Sequence, residues 1–90
     1  MIYDIVEGYR DHDPHVVAVT DDLLWARSYI LESIKREFGE MTAREFQCFE
    51  GLFEEFRHGT TRRLYFSLHD MSYEIRETHL RIAIGGMSTI

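Results

Sequence analysis

Gly39-Glu40-Met41-Thr42-Ala43-Arg44-Glu45-Phe46 decides the fold, because a helix stop and a helix start stand side by side within it. Gly39 suits the left-handed residue that ends a helix. Thr42 and Glu45 have the spacing of a capping box, and Met41 and Phe46 occupy the two positions of a hydrophobic staple. Two helices joined by a short turn are therefore expected. Upstream, Leu23, Ile30, Ile34 and Phe38 recur at helical spacing and Leu24 and Leu31 widen the stripe, which predicts a helix over 21–38. Downstream, Phe46, Phe49, Phe53 and Phe56 form an aromatic ridge with Glu45, Glu50, Glu54 and Glu55 largely off it, and Gly59 closes the second helix.

Outside the helices the period changes from about four to two. Residues 2–9 read as a strand, with Gly8 marking a bend or bulge. Arg10–Pro14 reads as a polar turn and His15–Val19 as a second strand, after which Thr20, Asp21 and Asp22 supply the cap of the first helix. Leu64, Phe66 and Leu68 alternate with Tyr65, Ser67 and His69 in a third strand, His69–Ser72 reads as a turn, and Tyr73–Glu77 as a fourth strand. Leu80, Ile82 and Ile84 have the opposite parity, so a bulge near Glu77 and Thr78 is expected before Gly85 and Gly86 end the ordered part. The expectation is one α+β domain over 1–90: a small antiparallel sheet built from a hairpin, two amphipathic helices and two or three further strands, with the helices on one face.

Ninety residues leave no room for a second core, while six Phe, five Tyr and one Trp supply buried area in large units. A single cysteine, Cys48, excludes an intrachain disulfide and a cysteine-based zinc site. It reads as a packing residue beside the aromatic ridge. No apolar run is long enough to span a bilayer and the N-terminus carries acids in place of a basic signal region, so the expected location is the cytoplasm. Residues 1–58 hold thirteen acids against six bases, a balance of −7, whereas 59–90 hold three acids against four bases, a balance of +1. That asymmetry disfavours direct binding to nucleic acid or an anionic membrane and favours a protein partner with a basic surface.

Four groups of side chains carry the chemistry to be weighed. Asp11, His12, Asp13 and His15 offer nitrogen and oxygen donors, but Pro14 stiffens that segment and a polar turn holds such residues anyway, so no metal is expected. Ser67, His69 and Asp70 lie too close along the chain to form a nucleophilic relay without a third element, so no catalytic residue is assigned. Arg57, Arg62 and Arg63 form the one basic cluster and are the weak candidates for an anion site. Asp11, Asp13, Asp21 and Asp22 near one end of the hairpin, joined by Glu45, Glu50, Glu54 and Glu55 on the second helix, are the candidate partner-binding residues. No cofactor is implied.

Two resemblances bear on function. Arg57-His58-Gly59-x-Thr61 is similar to the Arg-His-Gly-x-Thr string of the histidine phosphatases, whose His accepts the phosphoryl group. There the string follows a buried strand in a chain about twice this length, whereas here it ends an amphipathic helix, so a helix stop is the expected reading. Residues 1–31, through Gly8, Tyr9, Val16, Val19, Asp21, Ala26 and Tyr29, resemble the start of small phage and mobile-element accessory proteins. That likeness implies an accessory role without an activity. By size and charge alone the chain is also similar to phage inhibitors of the anti-CRISPR kind. The expectation is a non-enzymatic protein-binding module that acts through an acidic surface. The alternatives are a homo-oligomeric assembly protein, a homodimer for instance, and a binder of metal or phosphate.

Overall fold

The computed structural model describes residues 1–78, whose first elements are β1 (Ile2–Tyr9) and β2 (His12–Thr20), followed by α1 (Leu23–Phe38) and α2 (Ala43–Arg57). The chain then returns as β3 (Arg63–Leu68) and β4 (Met71–Thr78). These four strands form one antiparallel sheet in the order β2-β1-β4-β3, which puts β4 beside β1 at the centre. Both helices bury their apolar residues against one face of it, as the α+β reading anticipates.

Local chemistry sets the helix limits. The Asp22 carboxylate accepts from the backbone N–H groups of Leu24 and Trp25 at 3.0 and 3.1 Å, which caps α1 and starts it two residues later than the 21–38 reading. Gly39 ends it at φ 81°. At α2, Glu45 N–H donates to Thr42 Oγ1 at 3.1 Å and Thr42 N–H donates to Glu45 Oε1 at 2.9 Å, so the capping box closes in both directions. Gly59 adopts φ 80° just past the end of α2, where a side chain would be strained.

The core joins Ile30 and Ile34 of α1 and Phe49, Phe53 and Phe56 of α2 to Ile5, Leu64, Phe66, Leu68, Tyr73 and Ile75 of the sheet. Each such side chain contributes about 1.5–3 kcal/mol of transfer free energy on burial. Two expected core residues lie elsewhere. Leu24 is 63% exposed because the face of α1 turned to the sheet runs through Ala26, Ile30, Ser33 and Ile34. Phe46 is 40% exposed, one turn before the buried ridge begins, and lies beside Met41 at the mouth of the helix pair.

The turns are tighter than the sequence suggests. Arg10 and Asp11 alone form the first, and Pro14 lies inside β2. A proline is tolerated there because β2 is an edge strand and because the register slips locally. Tyr9 faces His12 while Glu7 faces His15, so Asp13 and Pro14 together oppose Gly8. A second slip sets Ile5 against Ala18 and Val6 against Val16, leaving Val17 extra. His69 and Asp70 make the second hairpin turn, with His69 at φ 55°, so Met71 and Ser72 belong to β4 and not to a turn. The β1–β4 register is unbroken from Ile2↔Thr78 to Tyr9↔Met71. Leu80, Ile82, Ile84, Gly85 and Gly86 lie outside the described residues.

Candidate interaction surface

Strand β2 separates the acidic residues that sequence proximity groups together. Asp11 sits in the tight turn and Asp13 at the start of β2, whereas Asp21 and Asp22 follow its far end. Nine residues of strand place these pairs on the order of 25 Å apart. Half of the eight candidates also have structural duties. Asp22 caps α1 and Glu45 completes the capping box. Glu50 Oε2 accepts from Arg27 Nη2 at 2.6 Å and from Arg27 Nε at 2.9 Å, a two-donor pair that ties α2 to α1. Glu54 lies 3.8 Å from Arg57 and 3.1 Å from His58 Nε2 in the last turns of α2. Among the described residues Asp11, Asp13, Asp21 and Glu55 have no side-chain partner, and all four are exposed.

The basic cluster is divided in the same way. Arg63 stands over the Tyr65 ring at 5.2 Å and reaches Glu74 at 3.5 Å, while Arg57 belongs to the end of α2 and Arg62 is exposed in the loop before β3. Glu74, only 8% exposed on the sheet face away from the helices, also accepts from Arg76 Nε at 3.1 Å. This paired carboxylate, unmarked in the sequence, is what holds Arg63. The Arg57-His58-Gly59 string forms the end of α2, with His58 N–H donating to the carbonyl of Glu54 at 3.0 Å.

Among the described residues the histidines singled out in the sequence lie apart from one another. His12 and His15 face Tyr9 and Glu7 across the hairpin, and among the described residues no three His, Cys, Asp or Glu side chains come together as metal ligands. The His69 ring packs on Phe38 at 4.9 Å, which turns it toward α1, while Ser67 alternates with the buried side chains of β3. Cys48 is exposed, contrary to the packing role expected of it, because the ridge is narrower than the sequence suggests.

Sequence reading missed a buried polar group between α1 and the sheet. The Ser33 hydroxyl donates to Glu7 Oε2 at 2.9 Å, and the hydroxyl of the fully buried Tyr73, cross-strand neighbour of Glu7, lies near Ser33 but makes no well-formed hydrogen bond among the described residues. Burial, followed by the charges of Glu7 and Glu37, raises the Tyr73 pKa from 10.0 to about 12.

Two concavities lie among the described residues. A cleft of about 400 Å³ lies at the hairpin end of the sheet, with Gly8, Ser67 and Ser72 in its lining beside Pro14, Tyr65 and His69. A Cβ on Gly8 would stand 2.6 Å from Ser72 Oγ, so glycine leaves room there for the Ser72 hydroxyl. A groove of about 350 Å³ opens where α1 meets α2, walled by Leu31, Ile34, Met41 and Phe46 with Lys35 and Glu40 on its margin. The staple pair Met41 and Phe46 was its signal in the sequence, although that motif foretold packing and not an open groove. Among the described residues no helix is long and apolar enough to cross a membrane. Compared with protein-family models, with curated proteins and with solved structures, the chain matches none of them.

Proposed function

We propose that this chain is a non-enzymatic protein-binding module whose helical layer engages a partner with a basic surface. The observation that carries the reading is the apolar groove at the α1–α2 turn, where Phe46 stays 40% exposed beside Met41 and Leu31 in an otherwise acidic layer. Residues 22–58 hold eight acids against five bases, a balance of −3, which complements a basic partner that inserts an apolar side chain. Of the acids singled out in the sequence, those free to contribute are Glu55 on α2 and, at separate places, Asp11, Asp13 and Asp21, while Glu40 stands on the margin of the groove itself. Basic surfaces of this kind occur on complexes that handle nucleic acid, and small acidic phage inhibitors block such sites. Size and charge support placing this chain among them, and the resemblance over 1–31 supports an accessory role in the host cytoplasm.

Affinity capture from a bacterial lysate at low and high salt tests the reading, with Phe46→Ser and Asp11→Asn/Asp13→Asn/Asp21→Asn variants beside the wild type. One nucleic-acid-handling complex should be retained at low salt and lost with Phe46→Ser, and salt should weaken its retention. Retention unaffected by Phe46→Ser and by salt would contradict the proposal, as would no specific retention.

A further inference from the structure

We propose that two copies of this chain associate through the outer edge of β3, joining their four-stranded sheets into one continuous antiparallel sheet. Strand β3 is an edge whose register with β4 is unbroken from Arg63↔Arg76 to Leu68↔Met71. It contains no proline, glycine or bulge. Among the described residues nothing pairs with its outward N–H and C=O groups, so it offers a regular template to another strand.

The side chains fit that template to itself. Leu64, Phe66 and Leu68 are buried toward the helices, and Arg63, Tyr65 and Ser67 are exposed on the other face. A two-fold axis perpendicular to the sheet at Tyr65 preserves both faces. It sets Tyr65 beside its copy, Leu64 beside Phe66 and Arg63 beside Ser67, with no like charges opposed.

The helix above β3 fits the same axis. Phe49 meets Phe66 edge-on at 5.4 Å, so the middle of α2 stands over the middle of β3. Glu50 and Phe53 mark the side of α2 that faces α1, since Arg27 contacts both. Helical spacing then puts Arg44, Cys48, Leu52 and Glu55 on the opposite side, above the free edge. About the two-fold axis the two α2 helices run antiparallel, with Cys48 and Leu52 central and Arg44 of one copy near Glu55 of the other. Neither Arg44 nor Glu55 has an ion-pair partner among the described residues. This association is independent of the partner-binding reading, because it needs neither the groove nor a basic partner.

The test uses the full chain and its single cysteine, Cys48, as reporter. Mass is measured by sedimentation over a concentration series, and a bis-maleimide of about 10 Å, the spacing of packed helices, is applied in native buffer and in denaturant. The wild type should form a dimer that cross-links at Cys48 only when folded. Tyr65→Lys, which opposes two charges at the axis, should weaken dimerisation about ten-fold. Glu55→Arg should weaken it, and Arg44→Glu combined with Glu55→Arg should restore it, while circular dichroism confirms that each variant is folded. A concentration-independent monomer would overturn the proposal. So would a dimer that is insensitive to Tyr65→Lys and to the charge swap.

Discussion

The two edges of the sheet solve the same problem in opposite ways. Strand β2 is nine residues long, carries Pro14 and slips register twice against β1, so its outward groups cannot form a regular ladder with a further strand. Strand β3 is six residues long and keeps strict register with β4. Exposed apolar side chains do not explain the difference, because β2 carries Val16 and Val19, 49% and 59% exposed, and yet is the guarded edge. Backbone regularity therefore distinguishes the edges better than hydrophobicity does, and among the described residues the outward backbone of β3 is the regular one left unpaired.

The largest expected effect breaks the comparison by removing its support. Phe49 props β3 through Phe66, and Phe49→Ala should cost about 3–5 kcal/mol in urea denaturation. A loss below about 1 kcal/mol would mean that α2 does not hold β3 in place. Next comes the guard itself. Gly8→Ala pushes a methyl toward Ser72 Oγ and the Pro14 ring, and should cost about 1–3 kcal/mol. Adding Ser72→Ala should recover part of that loss, since the closest contact disappears.

Tyr73 on β4 sharpens the comparison as a control between the edges. Its raised pKa means that the folded state holds the phenolic proton more tightly than the unfolded state does. The associated stability is complete below pH 10 and is lost as pH rises toward 12. Tyr73→Phe should abolish that alkaline loss and, by removing a buried unpartnered hydroxyl, stabilise the protein by about 1 kcal/mol at neutral pH without changing either edge. Denaturation curves at neutral and alkaline pH check both parts. An unchanged alkaline slope in the variant would assign the loss to another group.

What the sequence made legible was what neighbouring residues decide. The Thr42–Glu45 box, the Gly39 stop and the alternation of Leu64, Phe66 and Leu68 each act within a few residues, and each forms as expected. Distant partners decided the rest. Ser33 is buried because Glu7, far along the chain, accepts its hydrogen bond. Pro14 belongs to a strand only because β2 lies at the edge of the sheet. The acids at 11–13 and 21–22 are close in number but sit at opposite ends of an extended strand. Phe46 and Leu24 satisfy helical periodicity, but how the helices lie over the sheet leaves both exposed.

Amide hydrogen exchange over a concentration series measures the central claim, that the two edges differ in availability, at each strand. The account predicts that outward-facing amides of β3 gain protection as concentration rises, while those of β2 exchange at the same rate throughout. Protection that grows equally on both edges, or on β2 alone, would contradict it.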